Sequence, residues 1–325
     1  MNDYGIQLVR KIFKEMNIDE EWSVQADRGF TWWGHQFAQR IWADQPVEDN
    51  GFVVTKVNAE TEILKYPARS TETETLLAVE MMKSSLSGLV IDHEADRITL
   101  RCSAYINEDN INWLGRVFSL AAIIQATEVE DKGDDLAIFL ELQPNKSIHP
   151  RSGLRNAMDD MLNFIDQVVI PEGEKPFQSI GEFEFRRTAD ILNGQSLIST
   201  ASETGLSAYL PFADNSALLQ VDIENEHPEL GKGLLIRLYL PPDQIHPITE
   251  IDGAFIMDLN SMEQNAFPSG HFLGSWCLGP ISESAHTAVY VTFIPAVVCT
   301  PGILYNMCIS TMSHGKSAEE FLVLN

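Results

Sequence analysis

Residues 98–106 read ITLRCSAYI, a stretch in which apolar and polar side chains alternate. The residues that share the apolar face of an extended chain are Ile98, Leu100, Cys102, Ala104 and Ile106. This alternation predicts a β-strand with one buried face. Directly after it, apolar residues recur at steps of three and four from Ile111 to Ile124, which predicts a helix that Asn107 opens as its N-cap.

The segment upstream of this strand carries a helix, two or three strands and a second helix. Residues 6–16 have a one-sided apolar pattern, whereas residues 22–66 are rich in aromatic and β-branched side chains broken by turn formers. Thr71-Glu72-Thr73-Glu74 has the form of a capping box, which predicts a helix over about 72–84. A short strand over 89–91 would form a hairpin with 98–106.

The segment downstream of the helix leads from the first half of the chain to the second. An acidic loop over 128–135 precedes a predicted strand at Leu136–Leu142, and an amphipathic helix is predicted over about 153–170. Residues 171–176, PEGEKP, have the composition of a linker.

The second half repeats the order of elements. Its predicted elements are a short helix (183–192), three strands (206–210, 217–223, 234–240), a helix opened by Thr249–Asp252, a hairpin (about 271–278 and 287–294) and a closing helix from Thr300-Pro301. Each half therefore follows the order α-β-β-β-α-β-β-α. We predict an α+β fold of two similar units, each with a mostly antiparallel sheet of about five strands. The units are expected over 1–150 and 177–325, joined by a connecting helix and linker over 151–176.

The doubled order resembles the fold of the type III secretion chaperones and the YbjN-like bacterial sensory-transduction regulators, here as a tandem duplication. Two stretches of the second half carry local similarity. The first comprises Leu259-Asn260, Asn265, Pro268, Gly270 and Phe272, similar to the family's turn from helix to strand. The second comprises Val291–Pro295 and Thr300-Pro301, similar to its last strand and closing helix. The resemblance implies a chaperone-like or regulatory protein and brings no catalytic motif.

Charge and cysteine usage limit the class of function. The chain has 22 Lys+Arg and 47 Asp+Glu, so its formal net charge is −25, and only Lys316 is basic after Arg237. Nucleic-acid and anionic membrane partners are therefore disfavoured, because both need a basic surface. The four cysteines form no CxxC pair, and residues 1–5 have no basic region followed by an apolar core, so we expect a cytoplasmic protein.

One string matches a catalytic signature. Pro268-Ser269-Gly270-His271 resembles the central motif of the lipid-phosphatase and vanadium-haloperoxidase group, in which a histidine assists phosphoryl transfer. That chemistry also needs arginine and lysine to hold the phosphate, and no arginine follows Arg237. We therefore name no catalytic residue, and the histidine spacings favour neither a metal site nor a cofactor.

The aromatic residues provide the candidate binding positions. Trp32 and Trp33 are adjacent and must face opposite sides of a strand, whereas Phe272 and Trp276 share one face. A sheet face that is left open would use such residues to bind an apolar peptide, and the alternative is that helices of the same chain cover them.

We therefore expect a non-catalytic module that binds a protein or peptide, in a chaperone-like or regulatory role. Two alternatives remain: a hydrolase or phosphatase that uses His271, and a structural subunit that associates with itself as a homodimer.

Overall fold

The computed structural model describes residues 2–49, 51–163, 180–241, 251–265, 270–282 and 285–324. The protein is a mixed α+β protein with two antiparallel sheets. Within the described ranges, no helix is both long enough and apolar enough to cross a membrane.

The first half of the chain carries the larger sheet and three helices whose bounds both lie within the described residues. The helices are α1 (Tyr4–Glu15), α2 (Thr71–Glu80) and α3 (Leu114–Phe139). The strands are β1 (Ser23–Ala26), β2 (Gly29–Trp33), β3 (Ala38–Ala43), β4 (Val47–Asp49), β5 (Phe52–Lys65), β6 (Gly88–Asp92), β7 (Arg97–Ile106) and β8 (Gln143–Pro144). Single 3-10 turns occupy Glu20–Trp22 and Met81–Lys83.

The second half carries the smaller sheet. Its helices are α4 (Glu182–Gly194), α5 (Gly253–Asn265) and α6 (Ile303–Leu324). Its strands are β9 (Ile198–Ala201), β10 (Gly205–Phe212), β11 (Asn215–Asp222), β12 (Gly233–Tyr239), β13 (Ser275–Ser282) and β14 (Ala285–Pro295), and a 3-10 turn occupies Ala296–Val298.

The two sheets follow the same strand order. The first sheet runs β1-β2-β3-β5-β7-β6, with β4 and β8 paired to β5, and the second runs β9-β10-β11-β12-β14-β13. In each sheet, a run of antiparallel neighbours is followed by a hairpin. The second strand of that hairpin pairs with the run, and the first strand lies at the edge of the sheet. The prediction of about five strands in each unit was too low. It missed the short strand β9, which has only four residues, and it grouped the strands of residues 22–66 too coarsely.

The chain divides into two compact units that do not coincide with its two halves. Residues 1–69 and 87–168 form the first unit, and residues 70–86 join residues 169–325 in the second. Within the second unit, α2 packs against α5 and β13. His227 Nε2 lies 2.8 Å from the carbonyl oxygen of Lys83, and Ser85 Oγ donates to the carbonyl oxygen of Phe293 over 2.7 Å. The units predicted over 1–150 and 177–325 place residues 70–86 with the first half of the chain, whereas they belong to the second compact unit.

Local capping explains where α2 and α5 begin. The side chain of Ser70 accepts a hydrogen bond from the backbone N–H of Thr73, so the N-cap lies one residue before the predicted capping box. Asp252 accepts from the backbone N–H of Phe255, which places the N-cap of α5 at the last residue of the second predicted box. Residues 249 and 250 of that box lie outside the described residues.

Three predictions about the connection between the halves need correction. Residues 128–139 belong to α3, so the predicted acidic loop and the strand at Leu136–Leu142 are wrong there. Residues 136–142, LAIFLEL, form a short apolar run, and such a run fits the end of a helix as well as a strand. Leu154–Asp159 is not helical, and a helix begins only at Asp160. The rest of the predicted helix over 153–170, together with the linker over 171–176, lies outside the described residues.

The core of each unit lies between its sheet and the helices on one face, here called the inner face. In the first unit, α1 and α3 pack on this face, and its largest fully buried side chains include Phe30, Trp32 and Phe118. In the second unit, α4 and α6 pack on it and cover residues such as Leu219 and Ile236. The opposite face of each sheet is called the outer face.

Candidate functional site: the outer face of the second sheet

The four aromatic residues named as candidate binding positions are buried. Trp32, Phe272 and Trp276 have at most 1% of their surface exposed, and Trp33 has 7%. Trp33 faces the outer side of the first sheet, but residues 147–155 cover it. Its indole N–H donates to Ser147 Oγ over 3.1 Å, and the ring of His149 lies edge-on with 4.8 Å between centroids. These side chains therefore belong to the core and do not line an open groove.

Trp276 belongs to a buried polar cluster of the second unit. Its indole N–H donates to Glu263 Oε1 over 3.2 Å, and the same carboxylate lies 3.0 Å from His314 Nδ1. The ring of Tyr290 stacks on His314 with 3.9 Å between centroids. Glu263 and His314 are almost completely buried, so this pair can stabilise the packing of α5 and α6 but offers no access to a substrate.

His271, the candidate catalytic histidine, lies next to this cluster. Its carbonyl oxygen lies 3.2 Å from His314 Nε2, and its backbone N–H donates to Ser310 Oγ over 3.0 Å. Burial lowers the pKa of His271 to about 4, and the neighbouring His314 lowers it as well. Pro268 and Ser269 of the same motif lie outside the described residues. A histidine with so low a pKa is a weak base at neutral pH, so this geometry does not favour the hydrolase alternative.

Apolar side chains are exposed on the outer face of the second sheet. Ile198, Tyr209, Leu218 and Tyr239 lie directly opposite one another on β9, β10, β11 and β12. We call these four residues the tyrosine row. Ile198 is 71% exposed and Tyr209 is 50% exposed, whereas Leu218 and Tyr239 are half-buried. An aligned apolar row on a sheet face is a typical protein-interaction feature.

A polar row lies two residues further along the same strands. Thr200, Ser207, Gln220 and Arg237 are opposite one another, and they line a cleft of about 330 Å³ together with Ser202, Thr204, Asp222 and Glu224. Arg237 donates to Asp222 over 2.8 Å, while Glu224 is exposed. The cleft therefore contains two carboxylates and one guanidinium, which gives it a local negative charge.

Asparagine side chains occupy both edges of the second sheet. On β9, Asn193 Oδ1 accepts from the backbone N–H of Ser199 over 2.8 Å, and Asn193 Nδ2 donates to the carbonyl oxygen of the same residue over 3.2 Å. On β13, Asn260 makes the same pair of bonds to Trp276, at 2.8 and 3.0 Å. Each amide satisfies backbone groups that an added strand would need, so the outer face is more available to a partner than these edge positions.

The tyrosine row was missed by the sequence analysis, although a signal was present. Tyr209 and Tyr239 share strand parity with the polar residues Ser207 and Arg237, whereas the buried residues have the opposite parity. A large apolar side chain on the polar face of a predicted strand marks such a position. Their alignment in one row depends on the pairing of four strands, which the sequence does not show.

Comparison with protein-family models, curated proteins and solved structures finds no match to this chain. The resemblance to the YbjN-like regulators and type III secretion chaperones therefore stays a prediction. Among the residues that the structure describes, no group of three or more His, Cys, Asp or Glu side chains could hold a metal ion.

Proposed function

We propose that this protein is a non-catalytic module that binds another protein or a peptide through the outer face of its second sheet. The observation that carries the proposal is the tyrosine row, in which Ile198 and Tyr209 are exposed and Leu218 and Tyr239 are half-buried, on a sheet whose inner face is well packed. Its two tyrosines supply large contact areas at low conformational cost, which suits a binding surface.

A duplicated, chaperone-like or regulatory role is part of the same proposal. The identical strand order of the two sheets supports duplication of one structural plan.

The free and buried thiols of Cys102, Cys299 and Cys308 have pKa values raised to about 12 by burial, which makes them unreactive. Four free cysteines support a reducing compartment such as the cytoplasm.

Site-specific photo-crosslinking tests the proposal. A photoreactive amino acid at position 209 is placed on the tyrosine row, and the matched control is position 40, an exposed arginine on the outer face of the first sheet. We expect a discrete crosslinked partner, identified by its peptides, at position 209 and none at position 40. The product should disappear when Leu218→Glu is added, because a charge then lies in the centre of the row.

Crosslinking to a second copy of this chain at position 209 would instead support the self-associating subunit. Equal crosslinking at the two positions, or none at 209, would contradict the proposal. The hydrolase alternative requires a turnover of phosphate or carboxyl esters that His271→Ala abolishes.

A further inference from the structure

We infer that the partner segment is a polyproline II helix with a basic residue beside it, lying across the strands of the second sheet. This inference rests on the proposed function and names the partner chemistry of the same face. It follows from the spacing of the tyrosine row and from the charge of the adjacent cleft.

The spacing of the two tyrosines matches the repeat of a polyproline II helix. Tyr209 and Tyr239 lie on strands separated only by the strand of Leu218, because Tyr209 pairs with Leu218 and Leu218 pairs with Tyr239. Two strand spacings are about 9.6 Å. Three residues of a polyproline II helix advance about 9.3 Å, so every third side chain would meet one tyrosine. One turn of an α-helix advances only about 5.4 Å and does not match this interval.

The shape of the row also fits such a ligand. Leu218 is half-buried and lies between the two tyrosines, so a smaller aliphatic side chain separates the two rings. Polyproline II segments bind in grooves lined by aromatic residues, and they lose little conformational entropy because they are already extended. Ile198, which is 71% exposed, extends the contact by one more strand beyond Tyr209.

The polar cleft beside the tyrosine row is the reason that we infer a basic residue in the partner segment. Its floor is the polar row, which is two residues, or about 7 Å, from the tyrosine row along the strands. An arginine or lysine side chain can reach that distance from a peptide on the row. In the cleft, the two carboxylates of Asp222 and Glu224 outnumber the single guanidinium of Arg237. The whole chain has a formal net charge of −25, so a basic ligand is attracted both locally and at long range.

An extended strand added to an edge is a less suitable mode. Asn193 and Asn260 already satisfy backbone groups of Ser199 on β9 and Trp276 on β13. A polyproline II helix needs no backbone ladder, because it has no regular hydrogen bonds of its own to complete.

Three fluorescent peptides of equal length and net charge test the inference by anisotropy. The first has prolines three residues apart with one flanking arginine, in a segment of about twelve residues. The second has the same composition with the proline spacing disrupted, and the third is an amphipathic α-helical peptide. We expect the first to bind at least about tenfold more tightly than the other two, with an affinity that falls as salt is raised.

Variants of the full chain locate the binding. Tyr209→Ser and Tyr239→Ser should each weaken the first peptide at least about tenfold, because each removes one ring. Phe183→Ser is the matched control, because Phe183 is 74% exposed on α4 and lies outside the row. Glu224→Gln should weaken the arginine peptide but not a version with citrulline in place of arginine. Thermal unfolding of each variant checks that the fold is retained, and Tyr209→Phe should restore binding.

The inference is overturned if the disrupted or helical peptide binds as tightly as the first, if none of the three binds, or if Phe183→Ser weakens binding as much as Tyr209→Ser. In any of these cases, a crosslinked partner at position 209 would still support the proposed function. Loss of that crosslink as well would contradict both.

Discussion

The outer faces of the two sheets differ although the strand order is the same. On the first sheet, Glu60 forms ion pairs with Arg101 and Arg97, and Arg97 also pairs with Glu62 and Asp92. The two arginines thus offset two of the three carboxylates across neighbouring strands. On the second sheet, the corresponding face carries the tyrosine row and the ion pair Arg237–Asp222. The same architecture thus carries an ion-pair network on one outer face and exposed apolar side chains on the other.

The inner faces differ in a parallel way. In the first unit, the buried amide of Gln125 on α3 accepts from Gln39 and Thr61 over 3.1 Å each and donates to Ser87 over 3.2 Å. In the second unit, the Glu263–His314 pair occupies the space beneath α6. Both networks are buried, but only the second consists of ionisable side chains. We therefore expect the second unit to lose more stability when one partner is removed.

Removing one partner of the buried pair should have the largest effect. His314→Ala leaves Glu263 buried beside Trp276 with no counterpart, and we expect a loss of about 3–5 kcal/mol in the free energy of unfolding. Urea unfolding measures it. The control is the double variant Glu263→Met with His314→Leu, which should recover most of the stability because no buried ionisable group is left without its partner. A loss below about 1 kcal/mol in His314→Ala would show that the pair contributes little.

Acid should destabilise the second unit through His271. Its pKa is about 4 in the folded protein and 6.5 in the unfolded chain, so between these values only the unfolded chain binds the proton. Stability is therefore lost as pH falls from about 6.5 to about 4, by on the order of 2–3 kcal/mol, given that the side chain is half-buried. His271→Asn should flatten this part of the stability profile in urea unfolding. The same slope in His271→Asn would contradict the assignment, and His93→Asn, an exposed position of the first unit, is the control.

One substitution on each outer face tests whether the first face contributes more to the stability of the fold than the second. Glu60 is 8% exposed, and Glu60→Ala leaves Arg101 and Arg97 without their shared carboxylate, so we expect a loss of about 2–3 kcal/mol. Tyr209→Ser, at a half-exposed position, should cost less than about 1 kcal/mol. Thermal and urea unfolding of both variants give the comparison. Equal losses would remove the distinction between the two faces.

The smallest expected effect is a stabilisation at two helix ends. Glu141 follows α3 with φ of 55°, and Ser196 follows α4 with φ of 67°, in the left-handed region that favours glycine. Both helices close in the same way, with Leu142 N–H donating to Ala137 and Leu197 N–H donating to Leu192. Glu141→Gly and Ser196→Gly should each raise the free energy of unfolding by about 0.5–1 kcal/mol, measured by urea unfolding. Alanine at the same positions, which gains no such freedom, should not stabilise.

Local sequence patterns were sufficient to predict most helices and strands, because periodicity and capping are properties of short segments. The alternation in 98–106 and the steps of three and four after Asn107 correspond to β7 and α3. The predicted start of α3 was wrong. Asn107 caps only a turn, with its Oδ1 accepting from Asp109 and Asn110, and the helix begins at Leu114. The error at 136–142 arose because a short apolar run fits a strand and a helix segment equally well. The error at 154–159 arose because the two apolar residues Leu154 and Met158, four positions apart, do not suffice to form a helix.

By itself, the sequence determined the α+β class, the succession of most helices and strands, and a formal net charge of −25. Each of these follows from side-chain chemistry within a few neighbouring residues. The tertiary structure decided which faces are covered, that residues 70–86 belong to the second unit, and that Tyr209, Leu218 and Tyr239 form one row. Those features depend on pairing between residues far apart in the chain, and the free energy of such pairing is set by packing that no local pattern specifies.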